Sequence, residues 1–247
     1  MAGHSKWANI KFRKGAQDAK RGKIFTKLIR EISVAARMGG ADESSNARLR
    51  DAITKALKVN MKRDTVDNAI KRGVGGLDGA NMIEMSYEGY GPGGIAILVD
   101  CLSDNKNRTV SEVRHAFTKH GGNLGTDGSV SYLFNKQGEI LLAPTQHEEQ
   151  AMDVAIEFGA DDVILEEGQI EVITAVEHYH TVLSALQSAN FEVEHSHITR
   201  RAQLMVPMDK ETTESLEKLI DMLEDLDDVQ AVYSNAEFIE QFIETTA

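Results

Sequence analysis

Cysteine is nearly absent from this chain: Cys101 is the only one in 247 residues. It cannot form an internal disulfide, which fits a reducing compartment, and a cytoplasmic location is expected. No apolar run reaches the roughly 18 residues that cross a bilayer, so no membrane partner is expected. The opening stretch, MAGHSKWANIKFRK, has no apolar core and does not read as a secretory signal. Catalytic signatures are missing as well. No HExxH spacing occurs, and no Lys-Ser/Thr pair follows the glycines at Gly91–Gly94. Ser103, Asp104 and His115 have no recognisable nucleophile–base spacing, and paired carboxylates occur mainly in surface runs. His178/His180 fall at a predicted helix start and His195/His197 at a strand end, where i and i+2 share a face and two ligands could converge, but no cysteine joins them. The expectation is therefore a non-enzymatic protein with no metal, no cofactor and no small-molecule substrate.

What the chain does have is segregated charge. The overall balance is −12 with a pI near 5.1, which by itself suggests indifference to nucleic acid. Yet residues 1–76 hold eighteen Lys and Arg against seven Asp and Glu, a net +11. Residues 77–247 hold nine against thirty-two, a net −23. A block of one sign is an electrostatic footprint for a polyanion, either DNA or structured RNA. Charge alone also predicts that the basic module is attracted to its own acidic body.

Residues 1–14 carry Lys6, Lys11, Arg13 and Lys14, no acid, and only Trp7, Ile10 and Phe12 as large apolar groups. Such a segment cannot offset its ordering entropy and reads as an arm that orders on a partner. Trp7 can stack on bases or plug the arm onto its own domain. From about Ala16 to Met38 the pattern is helical, with Ile24, Phe25, Leu28, Ile29, Ile32, Ala35 and Ala36 on one face. Lys20, Lys23, Lys27, Arg30 and Arg37 form a stripe roughly opposite, while Arg21, Val34 and Met38 fit neither face. A second helix is predicted over 46–60. A third is predicted with Asp64 as N-cap and Gly73 at the C-cap position. Together they make a small bundle suited to phosphate binding, with no evident base-reading residue.

Gly73–Gly79 (GVGGLDG) reads as a link to the acidic body. There, strands are predicted over 82–90 and 95–102 around Gly91-Pro92-Gly93-Gly94, which is read as a hairpin turn in preference to an anion nest. Asp104 or Asn105 can cap a helix running to Lys119. Lys106 and Arg108 at its start either bind an anion or serve capping and local salt bridges. Val130–Phe134 and Glu139–Leu142 read as two strands. The region from 139 to 197 follows the β-α-β-β-α-β order of a ferredoxin-like unit. Ala202–Val206, Thr212–Leu226 and Val229–Tyr233 are expected to return to the earlier sheet. Glu211, Glu214, Glu217, Asp221, Glu224, Asp225, Asp227 and Asp228 read as a solvated face, with docking of a basic protein as the alternative.

Five segments together resemble the YebC family: Gly3–Asn9 (GHSKWAN), Lys20–Lys27 (KRGKIFTK), Tyr87–Gly94 (YEGYGPGG), Ser103–Thr109 (SDNKNRT) and Gly121–Gly125 (GGNLG). They span essentially the whole chain in order. The resemblance implies an α+β protein with three domains: a basic helical domain with an arm (1–78), a central α/β domain (79–135 plus 203–247), and a ferredoxin-like α/β domain inserted into it (136–202). It implies a cytoplasmic, DNA-binding transcriptional regulator, or alternatively a ribosome-associated translation factor that binds rRNA or tRNA. Some eukaryotic relatives are mitochondrial translational activators. The family's basic N-terminal pattern falls here on Lys6, Trp7, Lys11, Arg13, Lys14, Lys20, Arg21, Lys23 and Lys27, and the stripe adds Arg30.

Overall fold

The computed structural model describes residues 21–75, 82–145, 147–166 and 168–237. The predicted arm, with Lys6, Trp7, Lys11, Arg13, Lys14 and Lys20, and residues 76–79 of the predicted link lie outside these. Chain contacts divide the protein into two compact units, Met1–Ser131 with Met205–Ala247, and Tyr132–Leu204.

The first unit begins with a three-helix bundle: α1 (Arg21–Gly39), α2 (Ala47–Lys58) and α3 (Arg63–Val74). Ile32, Ala35 and Ala36 of α1 pack with Leu49, Ala52, Ile53 and Ala56 of α2 and Val66 and Ala69 of α3. Val34, which fits neither predicted face, is buried, and Met38 is exposed. Gly40 ends α1 at φ 87°, the left-handed conformation that a glycine adopts without a Cβ clash. Asn46 caps α2 by accepting from the Leu49 N–H at 3.0 Å, and its amide donates to the Ala35 and Gly40 carbonyls, both at 2.8 Å.

Two predictions for α3 are corrected. Its N-cap position is Lys62, without a side-chain cap bond, and Asp64 lies inside the first turn. Gly73 is not the cap; the helix runs to Val74 and caps at Gly75. Gly73 is buried against α1, where an ideal Cβ would overlap the Ser33 carbonyl. The glycine is what lets the two helices touch.

The same unit holds an antiparallel sheet of β1 (Ile83–Tyr90), β2 (Ala96–Ser103), β3 (Asn123–Leu124) and β9 (Val229–Ser234), ordered β3-β1-β2-β9. A 3-10 turn at Pro92–Gly94 joins β1 to β2, with Tyr90 opposite Ala96. Helices α4 (Lys106–Lys119) and α7 (Lys210–Glu224) supply Val113, Phe117, Leu216, Leu219 and Leu223 to a core with Ile97, Val99 and Cys101 of β2. Only part of the predicted return to this sheet occurs. β9 pairs with β2, but the predicted strand at 202–206 is reduced to β8 (Val206–Pro207), which pairs in parallel with β10 (Ala236–Glu237).

The second unit runs β4 (Phe134–Leu142), α5 (Glu148–Glu157), β5 (Ala160–Glu166), β6 (Gln169–Thr174), α6 (Tyr179–Ser188) and β7 (Val193–Ala202). Its sheet is antiparallel and ordered β5-β6-β4-β7. That is the ferredoxin-like arrangement, in which each helical crossover skips one strand position. Residues 130–142 do not form two strands. Ser131–Leu133 is a 3-10 turn, and β4 runs unbroken through Asn135-Lys136-Gln137-Gly138.

Candidate nucleic-acid interface

The stripe on α1 is the first candidate, and much of it is engaged within its own unit. Lys23, Lys27 and Arg30 lie at i, i+4 and i+7, so they share a face. All three meet the C-terminal end of α7. The Lys27 ammonium donates to the Glu224 carbonyl at 2.6 Å. Lys23 donates to the Asp225 carbonyl at 3.1 Å and lies 3.5 Å from its carboxylate. Arg30 Nη1 donates to the Asp227 carbonyl at 2.8 Å, and to the Leu102 carbonyl and Asp228 Oδ1 at 3.1 Å. Carbonyls at a helix C-terminus have no intrahelical partner and carry the negative end of the macrodipole, so cations gather there. Burial pulls the Lys27 ammonium below its ordinary value, although Glu224, Asp225 and Asp227 oppose the shift. Arg21 opens α1, and its side chain lies outside the described set.

Lys106 and Arg108 sit on the first turn of α4, whose cap is Asn105 rather than Asp104: its side chain accepts from the Arg108 N–H at 3.0 Å. The Arg108 guanidinium is committed elsewhere. It donates to Asp104 at 3.0 Å and to Asp228 Oδ2 at 2.8 and 3.1 Å. Lys106 is exposed and remains available to an anion.

Asp228 departs from the solvated face that the run of eight acids predicts. It is buried, at 2% exposure. Besides Arg30 and Arg108, its carboxylate accepts from Ser103 Oγ and Thr109 Oγ1, each at 2.8 Å. Burial alone would raise its pKa, but the bonds from Arg108, Ser103 and Thr109 outweigh burial and hold it below the usual range. Ser103 is itself buried and spends its hydroxyl on Asp228. The Cys101 thiol is pushed up to about 12 by burial and by the Asp100 and Asp228 carboxylates. Neither side chain is poised as a nucleophile.

The glycine-rich turn packs as a hairpin. The Gly91 N–H donates to the Ile95 carbonyl at 2.8 Å, and a Cβ on Gly93 would press on Thr212 of α7. His195 and His197 bring their rings to 4.6 Å on β7. Among the described residues, no group of three or more His, Cys, Asp or Glu could hold a metal ion.

A second set of cations went unremarked in the sequence. Lys55 and Lys58 on the last turn of α2, Lys62 at the start of α3 and Lys71 near its end are all exposed. Among the described residues, none of the four pairs with a carboxylate, unlike Arg48 with Glu31 and Glu84, or Arg63 with Glu43 and Asp67. The spacing of Lys55, Lys58 and Lys62 around one helix corner was the available signal. Lys55 and Lys58 also complement the α2 dipole, so a capping role accounts for part of their placement.

Residues 5–76 match the domain described as "TACO1/YebC protein N-terminal domain", and residues 82–236 match "TACO1/YebC second and third domain". The chain belongs to the TACO1/YebC family. A relative from Legionella pneumophila strain Philadelphia 1, named a probable transcriptional regulatory protein, is 77% identical over 99% of both chains. One of the same name from Pectobacterium carotovorum is 60% identical over 99% of both. A crystal structure of a conserved hypothetical protein from Aquifex aeolicus matches with a TM-score of 0.78 at 46% identity, covering 93% of this chain and 94% of that one. The matched N-terminal domain coincides with the +11 segment. No described helix is long and apolar enough to cross a membrane.

Proposed function

We propose that this protein is a non-enzymatic, cytoplasmic, DNA-binding regulator of transcription that grips nucleic acid through its basic N-terminal domain. The observation that carries this reading is uncompensated charge: Lys55, Lys58, Lys62 and Lys71 stand exposed without acid partners in a segment of net +11. Lysines so placed contact phosphates, and each neutralised phosphate adds to the salt dependence of binding. The name carried by the relatives supports the same reading. The arm residues Lys6, Trp7, Lys11, Arg13 and Lys14 would extend the grip, with Lys20, Lys23 and Lys27 behind them.

One observation favours a second reading, a ribosome-associated translation factor. The four exposed lysines at 55, 58, 62 and 71 act as point charges and carry no base-reading fork. Recognition by shape and backbone suits structured RNA. Sedimentation of the native protein from lysate, at low and moderate salt and with or without nuclease, separates the two. Co-migration with ribosomes that survives moderate salt would replace the transcriptional reading. A ribosome-free protein that retains defined DNA fragments would support it. In either case Lys55→Ala/Lys58→Ala/Lys62→Ala should flatten the salt slope by about three contacts, and an unchanged slope removes this corner from the interface.

A further inference from the structure

We infer that the cationic stripe of α1 is an electrostatic latch, held on the C-terminal end of α7 in the free protein and exchanged for nucleic-acid phosphates in the bound state. The inference rests on the nucleic-acid reading above for the identity of the competitor, but the latch itself stands on geometry.

Four of the five residues from 224 to 228 are acidic: Glu224, Asp225, Asp227 and Asp228. Their backbone carbonyls and carboxylates receive Lys23, Lys27 and Arg30 together. A phosphate approaching this stripe therefore enters the field of these carboxylates. They would repel the incoming backbone, so the stripe does not serve α7 and a polyanion at once.

The latch is graded. The Lys23 side chain is 46% exposed, while that of Arg30 is 19% exposed and contacts the buried Asp228 carboxylate. Exposed contacts are screened within a Debye length of about 8 Å at physiological salt, whereas buried ones are screened much less. Lys23 is thus the end that exchanges first, the half-buried Lys27 follows it, and Arg30 is the pivot that remains. The exposed lysines at 55, 58, 62 and 71 supply the first attraction, and release of Lys23 and Lys27 adds contacts only once a dense array of phosphates competes.

The test compares the full-length wild type with Glu224→Gln/Asp225→Asn, which keeps Lys23, Lys27 and Arg30 and removes only acids that hold them, and with a control of equal charge, Glu148→Gln/Glu149→Gln on the exposed first turn of α5. Without nucleic acid, acetylation of the lysines reads the latch. Lys27 should react several-fold faster in Glu224→Gln/Asp225→Asn than in the wild type at about 50 mM salt, with Lys55 unchanged, and equal rates overturn the latch. With a random-sequence duplex of about 20 base pairs, as DNA and as RNA, that variant should bind several-fold more tightly than the control at low salt. Affinity equal to the control's overturns the exchange. Failure of the wild type to bind either duplex would remove the nucleic-acid reading, and with it the exchange, while the acetylation rate would still decide the latch.

Discussion

Replacing Asp228 by Asn removes one negative charge from a site built to need it. Two hydroxyls and two guanidiniums converge on this carboxylate: Ser103 and Thr109 at 2.8 Å, Arg108 at 2.8 Å and Arg30 at 3.1 Å. An amide of the same shape offers one acceptor atom where two are used, and it aims an N–H₂ at donors. Deleting one partner of a buried ion pair costs about 3–5 kcal/mol when the other is left unpaired. Here the stranded Arg108 is 43% exposed and can rehydrate, while Arg30 and the two hydroxyls cannot do so fully. The expected loss is therefore below that range, about 2–3 kcal/mol. In a unit of this size that lowers the melting temperature by about 5–10 °C. Thermal and urea unfolding followed by circular dichroism would measure it. The wild-type contribution should also depend on pH. Because Asp228 is held below the usual carboxylate range, it binds fewer protons folded than unfolded through the acid region. Its stabilisation is then complete above the unfolded pKa and fades as pH falls through the folded one. The difference between wild type and Asp228→Asn should shrink in acid accordingly. A loss within about 0.5 kcal/mol at neutral pH, the range of an ordinary surface substitution, would refute the reasoning.

Gly73→Ala should cost the bundle about 2 kcal/mol, the overpacking penalty against Ser33 less the gain in helix propensity. Gly22→Ala, whose Cβ meets nothing within 4 Å, should cost nothing, and equal melting temperatures for the two variants would contradict the close-approach argument. Glu88→Gln should lose about 1.5–3 kcal/mol, because the carboxylate accepts the N–H groups of Gly128, Val130 and Ser131, each at 2.7 Å. Burial raises its pKa, but those three bonds outweigh burial and leave it net depressed, so this stabilisation too is lost in acid. Faster proteolysis in the 125–131 segment is the accompanying sign. Cys101 should resist thiol reagents until the first unit unfolds, and stoichiometric labelling of the native protein would show that its burial is wrong.

Much of the fold was legible because local chemistry and tertiary packing agree at most element ends. Asn46 and Asn105 cap where a short amide should, and Gly40 and Gly121 take positive φ where helices stop. The ferredoxin-like order followed from alternating periods in the chain. The misreadings have physical causes. Asn135-Lys136-Gln137-Gly138 has turn composition, yet it continues β4 because β7 pairs with the strand along all of it and β6 from Gly138 onward. Gly138 is there because a side chain would meet Tyr179 and Thr174. Gly73 looked like a cap because a glycine near a helix end usually is one. Its actual partner, Ser33, lies 40 positions away in sequence, which no local pattern encodes.

The candidate site was legible at the level of charge and illegible at the level of individual cations. Periodicity correctly put Lys23, Lys27 and Arg30 on one face, but a periodic argument ends at the helix surface. Whether that surface meets water, phosphate or another helix depends on where α7 ends, and α7 is nearly 200 residues later. Asp228 could not be told from seven other acids for the same reason: its neighbours in sequence are acidic, and its neighbours in space are Ser103, Thr109 and two arginines. The net charges of +11 and −23 do carry one further consequence. They predict that the two segments attract, and the contact they make uses the basic residues that composition alone would assign to nucleic acid. Counting cations therefore overstates the surface open to a polyanion in the free protein. On the function proposed above, the exposed lysines at the α2–α3 corner, rather than the more regular stripe on α1, are the ones that a first encounter would find.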